Sequence, residues 1–135
     1  MTKISLPFNS PLLTKDFVYG VATASFQIEG GYEHRLPCIW DTFCSTAGKI
    51  ADNSHGHIAC DHYNNWQQDI DLIESLGVDA YRLSISWPRV MTQDAKLNPV
   101  GVKFYTDILD ELKRKNIKAF VTLYHWDLPQ HLEDE

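Results

Sequence analysis

An α/β fold with parallel strands is predicted by two observations: β-prone segments alternate with amphipathic helical ones, and each helical segment is long enough to carry the chain back for a parallel crossover. The first β-prone segment is "DFVYGVATASFQ", Asp16 to Gln27, rich in Val, Phe, Thr and Tyr between Pro/Lys-containing and Gly-containing flanks. A long irregular stretch follows. "DHYNNWQQDIDLIESLG" then sets Trp66, Ile70 and Ile73 on one helical face, with Gly77 as its stop. "VDAYRLSISW", Val78 to Trp87, is the second strand, ended by Pro88. Pro99 suits a first helical position, Val102, Tyr105, Ile108, Leu109 and Leu112 form the next apolar stripe, and Lys113, Arg114 and Lys115 complement the helix end. Asn116 suits a left-handed cap. "IKAFVTLYHW", Ile117 to Trp126, is the third strand, apolar enough to predict cover on both faces.

Three parallel strands with two helices leave both sheet edges unpaired, whereas a closed eight-unit barrel needs roughly 250 residues. The 135 residues therefore read as the first three β/α units of a larger barrel, one domain portion over 1–135 that stops after its third strand. Expressed alone, such a piece is expected to aggregate or pack loosely. Apolar residues make up 44% of the chain, enough for a core and against disorder. The formal charge of −6 opposes nucleic-acid phosphates and anionic lipid, so neither is an expected partner. Cys38, Cys44 and Cys60 are an odd set without a signal-like opening before them, which points to reduced thiols and a cytoplasmic location. No apolar run approaches the roughly 20 residues that span a membrane.

Alternation along the second strand puts Tyr81, Leu83, Ile85 and Trp87 on one face and Arg82, Ser84 and Ser86 on the other. The polar face is either solvated, or interior with Arg82 awaiting a carboxylate from outside this chain. Gln27 and His125 fall at the C-terminal ends of the first and third strands, where parallel α/β folds build their sites. An amide and a neutral imidazole together offer the donors and acceptors that vicinal sugar hydroxyls require, and Trp126 adds a flat apolar wall. His125 taken alone reads more readily as a structural histidine bonded to a backbone carbonyl. The connection from Ile28 to Cys60 exceeds the about 12 to 15 residues usual for a structureless loop, which marks it as functional or disordered. Its His55, His57 and Cys60, with His62, match no zinc-ligand spacing, so no metal site is expected. Glu29 and Asp127 are carboxylates near the same rim, but residues so placed beside glycine or proline commonly cap or pair, and neither is assigned catalysis.

The segments "FVYGVATASFQIEGG", "CIWDTFC", "CDHYNNWQQDIDLIESLGVDAYRLSISWPRV" and "FVTLYHWDLPQ" together resemble the N-terminal part of glycoside hydrolase family one, the retaining β-glucosidases. The resemblance implies a (β/α)8 barrel, no metal or organic cofactor, and a small-molecule β-glycoside as substrate. It also implies that Gln27 and His125 bind sugar hydroxyls, that Trp126 walls their subsite, and that Arg82 lies beside the nucleophile and favours its ionised form. The family's two catalytic glutamates lie in an Asn-Glu-Pro motif after the fourth strand and a Thr-Glu-Asn-Gly-like motif after the seventh. This chain contains neither, so no catalytic residue is expected within it and the isolated piece is expected to be inactive. "YEHRLPC" replaces a Gly-rich segment common in the family, which leaves the rim loop's conformation open. A 6-phospho-β-glycosidase, towards which "TASFQIEG" leans less, and a non-catalytic glycan-binding relative are the alternatives.

Overall fold

The computed structural model describes residues 5–135. Its centre is a parallel sheet of three strands in the order β1 (Gly20–Ala22), β2 (Ala80–Ser84), β3 (Lys118–Thr122). Ala80 is the register partner of both Gly20 and Lys118, so the strands start level and their C-terminal ends open on one side. The sheet is not closed. Short helices α1 (Ser25–Ile28) and α2 (Ile39–Ser45) follow β1, then the long α3 (His62–Ser75) returns the chain. After β2 come the single turn α4 (Trp87–Val90) and the long α5 (Pro99–Arg114), and after β3 comes α6 (Gln130–Glu133). Among the described residues no helix is long and apolar enough to cross a membrane.

The two long helices follow from their sequences. α5 opens with Pro99 at its first position, and the Asn98 side chain accepts a hydrogen bond from the Val100 N–H. It closes with Asn116 at φ +57°, the left-handed step its short polar side chain tolerates. α3 closes into Gly77 at φ +67°. Ile70 from α3 and Tyr105, Ile108 and Leu112 from α5 pack with Tyr81, Leu83, Phe104 and Ile117 into the core, while Trp66, Ile73 and Leu109 flank it. Val102 is the exception in the predicted stripe: it is 37% exposed, one step off the buried arc.

Several expectations change: the second strand stops at Ser84, with Trp87 opening α4 ahead of Pro88, and the third stops at Thr122, short of the reversal at Trp126. The first strand ends at Ala22, and Ser25 to Ile28 turn into α1 because the Ser25 N–H leaves the ladder to donate to the Ser84 hydroxyl at 2.8 Å. The second strand's polar face is not solvated at its end, since Ser84 and Ser86 are both buried. β3 is not covered on both faces: Lys118 to Val121 are all exposed, as befits the sheet's edge.

Candidate functional site

The hollow beyond the strand ends is built from the segments that follow β1 and β3, two strands that do not pair with each other. Gln27 rides on α1 just past β1; His125 and Trp126 follow β3. With Trp40 and Phe43 of α2 they line a single hollow of about 330 Å³. Trp40 stands edge-on to Phe43, with ring centres 5.9 Å apart and an interplanar angle of 81°, and Trp126 lies 6.1 Å from Tyr124. An amide, an imidazole and indole faces around one space can hydrogen-bond hydroxyls and cover the C–H face of a small polar ring. Trp126 adopts φ +73°, unusual for so bulky a residue, and the chain reverses there so that Trp126 stays 66% exposed while Asp127 is 1% exposed.

The long connection is ordered by its own charges. Arg35 donates two hydrogen bonds to Asp41, at 2.6 and 2.8 Å, and Asp41 also accepts from the Cys38 N–H. Burial raises the Asp41 carboxyl, but the Arg35 bonds and the Cys38 N–H outweigh it and hold the group below the ordinary carboxylate range. Burial beside Asp41 pushes the Cys38 thiol up to about 12, so it is no nucleophile at neutral pH. "YEHRLPC", where the sequence departs from its resemblance, thus supplies Arg35 and Cys38 as anchors. The Ile39 N–H donates to Leu128 O and the Gln130 N–H to Pro37 O, both at 2.9 Å, tying the connection to the chain after β3.

The two rim carboxylates are occupied. Glu29 accepts from Arg89 Nε at 2.8 Å and from the Tyr105 hydroxyl at 2.5 Å, and Arg89 Nη2 donates to Gly30 O. The guanidinium also sits 4.3 Å from the Tyr63 ring centre. α5 approaches this group closely, because a Cβ on Gly101 would lie 2.0 Å from Arg89 O. Burial raises the Glu29 carboxyl above its ordinary value against the pull of Arg89 and Tyr105, and burial with the adjoining Glu29 charge pushes the Tyr105 hydroxyl up further. Asp127 accepts from the Ser25 hydroxyl at 2.8 Å. The ion-pair reading of Glu29 therefore matches the structure, and neither group lines the hollow.

Of the histidines near the long connection, His55 and His57 lie together with ring centres 4.3 Å apart, and the others go to separate partners. His57 stacks on Tyr32 with centres 4.1 Å apart, His34 stacks on Tyr63, and His62 Nδ1 meets Asp69 at 2.6 Å. Arg82 stays apart from the hollow. It lies on the sheet's open face beside Ala22 and Phe120, and its Nη1 donates to Thr23 O at 3.1 Å. Among the described residues it has no ion pair.

The model of glycosyl hydrolase family 1 matches residues 10–135. The chain belongs to glycosyl hydrolase family 1. A family 1 β-glucosidase structure from Exiguobacterium antarcticum superposes with a TM-score of 0.86 at 47% identity, covering 90% of this chain and 28% of that one. A Thermotoga maritima β-glucosidase in complex with deoxynojirimycin superposes with a TM-score of 0.83 at 48% identity, over 89% of this chain and 28% of that one. A β-glucosidase of an Agrobacterium species is 50% identical over 117 residues, 84% of this chain and 26% of that protein. The chain thus spans between a quarter and three tenths of these relatives, and its open sheet is a three-stranded part of the family 1 TIM barrel. Sequence reasoning put Gln27, His125 and Trp126 at the strand ends themselves, whereas β1 and β3 stop at Ala22 and Thr122, Gln27 rides on α1, and His125 and Trp126 follow β3; it noted Trp40 and Phe43 only as aromatics of a long loop. It missed the pairing of Ser25 with Asp127, for which the sequence carries no local signal.

Proposed function

We propose that the protein carrying this chain hydrolyses terminal β-linked glucosides with retention of configuration, and that these residues form the first portion of its single barrel domain. Gln27 and His125 hold hydroxyls of the sugar, Trp126 walls the subsite, and Arg82 lies beside the nucleophile. The observation that carries this reading is the meeting of Gln27, His125 and Trp126 around one hollow in a chain about half identical to β-glucosidases.

Retaining hydrolysis needs two carboxyl groups about 5 to 5.5 Å apart, one to attack the anomeric carbon and one to protonate the leaving oxygen and then activate water. The rim carboxylates Glu29 and Asp127 are buried and engaged, so neither is free for that work. The 135 residues contribute grip, and the cutting groups stand elsewhere in the protein. Arg82, on the open face, favours the ionised form of a carboxylate brought against it. The relatives' names, β-glucosidase and 1,4-β-D-glucan glucohydrolase, favour plain over phosphorylated glucosides.

A chromogenic aryl β-glucoside tests both halves. The isolated 135-residue polypeptide should give no turnover above a buffer blank. In a full-length protein, Gln27→Ala or His125→Ala should lower kcat/KM about 10- to 100-fold, the loss of one or two hydrogen bonds to a bound hydroxyl. Turnover by the short polypeptide, or full activity in both variants, would overturn the reading.

A further inference from the structure

We propose that Ser25 and Asp127 are positioning residues that fix the two walls of the hollow against each other, an inference that rests on the reading of Gln27 and His125 as sugar ligands. Gln27 stands two residues after Ser25 on α1, and His125 and Trp126 stand directly before Asp127. The strands that lead to them do not pair, since β2 separates β1 from β3. No ladder bond between β1 and β3 therefore sets the distance from the Gln27 amide to the His125 imidazole, and the backbone bonds that join the two segments lie further along the chain, at Pro37 to Ile39 and Leu128 to Gln130.

The Ser25 hydroxyl spans that gap by donating to Asp127 Oδ2 at 2.8 Å, across 102 residues of sequence. Ser84 at the end of β2 completes the brace: its hydroxyl accepts from the Ser25 N–H at 2.8 Å and donates to Ser25 Oγ at 3.1 Å. Ser25, Ser84 and Asp127 are 3%, 2% and 1% exposed. Water does not compete for these bonds, so they hold geometry more firmly than exposed ones. Asp127 Oδ1 is buried without a hydrogen-bond partner among the described residues, so Ser25 is the one side chain holding this carboxyl group.

The brace also accounts for the backbone at Trp126. A tryptophan at φ +73° persists only where its surroundings over-determine it. On its C-terminal side Asp127 is pinned to Ser25, and Leu128 O accepts from the Ile39 N–H at 2.9 Å. With the first of these removed, the backbone relaxes towards negative φ, and the indole and His125 turn away from Gln27. Such displacement costs a ligand site much of its effect even though no ligand contact is itself deleted.

The test uses a full-length protein active on an aryl β-glucoside. Ser25→Ala is expected to lower kcat/KM about 10- to 100-fold and to weaken competitive inhibition by glucose about tenfold. Asp127→Ala should match it, and the double variant should be no worse than either single, because both remove the same bond. Asp127→Asn keeps an acceptor for Ser25 and should stay within about fivefold of wild type. A purely structural role would lower the active fraction, reducing kcat while leaving KM and glucose inhibition at wild-type values; that result overturns the proposal. Should Asp127→Ala fail to fold, Ser25→Ala, which deletes a single hydroxyl, carries the test. Wild-type behaviour of Ser25→Ala with defective Gln27→Ala removes the brace alone, whereas wild-type behaviour of Gln27→Ala and His125→Ala removes the reading beneath it.

Discussion

The two sides of the sheet each present an arginine, and the contrast between them separates what these residues complete from what they leave open. On the helix side Arg89 is 0% exposed, with Glu29, Gly30 O and two aromatic rings around it, above a core in which Ile70 and Leu112 are also at 0%. On the other side Arg82 reaches one backbone carbonyl, and its cross-strand neighbour Phe120 is 54% exposed. A buried guanidinium is tolerable only with its countercharge in place, and a half-exposed aromatic is stable only while water is an acceptable neighbour. The helix side meets its condition within the described residues. The open side has an unpaired charge among exposed apolar groups, the composition of a surface that gains by being covered.

The largest effect to look for is association through that open side. Phe120 in β3 and Leu123 and Trp126 just after it are 54%, 78% and 66% exposed, three large apolar groups within seven residues of chain. The isolated 135-residue polypeptide should scatter light as oligomers or aggregates several times the monomer mass, and Phe120→Lys with Leu123→Glu should return it towards the monomer. A monomeric wild-type polypeptide with a sharp thermal transition and dispersed amide resonances would erase the distinction between the two sides.

The next effect compares the arginines directly. Arg89→Met leaves Glu29 buried without its cation and should cost about 3–5 kcal/mol in denaturant unfolding of the protein as its gene encodes it. Adding Glu29→Gln should restore part of that loss, because the stranded charge is removed. Arg82→Met should cost less than about 1 kcal/mol in these residues' own packing, since a half-exposed charge with one carbonyl partner contributes little. Equal costs at the two positions would mean that burial does not decide which side is self-sufficient.

That contrast also marks what was legible in the sequence. Periodicity found α3 and α5, Pro99 and Asn116 fixed the ends of α5, and the alternation along β2 separated Tyr81 and Leu83 from Arg82. These signals are local, carried by spacings of two to four residues. The end of β1 was read as extended because Thr23 to Gln27 have strand-like composition, and the bond that turns the chain comes from Ser84, 59 residues away. Likewise nothing adjacent to Glu29 announces Arg89 and Tyr105, at separations of 60 and 76 residues. Exposure of β3 was hidden for another reason: an apolar run states what a strand tolerates, and neighbours decide whether it is covered. In the candidate site, Gln27, His125 and Trp126 were visible as polar or flat groups near strand ends, while Ser25 was read inside a strand and Asp127 as a carboxylate that caps or pairs, with nothing in the sequence to join the two.

The smallest effect asks whether the long connection over the hollow belongs with the self-sufficient side. Asp41 is 4% exposed and held by Arg35 and the Cys38 N–H, with His57 Nε2 at 3.9 Å. Its carboxyl sits below the ordinary range when folded, whereas in the unfolded chain it titrates near 3.9. The unfolded state therefore takes up a proton first, so the ion pair contributes stability above the unfolded value that is lost as pH falls through the folded one. Asp41→Asn should lower the unfolding midpoint at pH 7 by the equivalent of about 1.5 kcal/mol, the worth of a charge-assisted bond. The variant and wild type should begin to converge only as the pH falls below about 4 and should meet once it has passed below the folded value, where the wild type has lost the same contribution. Glu29, raised rather than lowered, acts with the opposite sign: its contribution is present below its unfolded value and fades as pH rises through its folded one. Because Asp41→Asn leaves Glu29 in place, subtracting the two pH profiles isolates Asp41. A difference that grows as the pH is lowered would place the connection outside the set of elements these residues hold together.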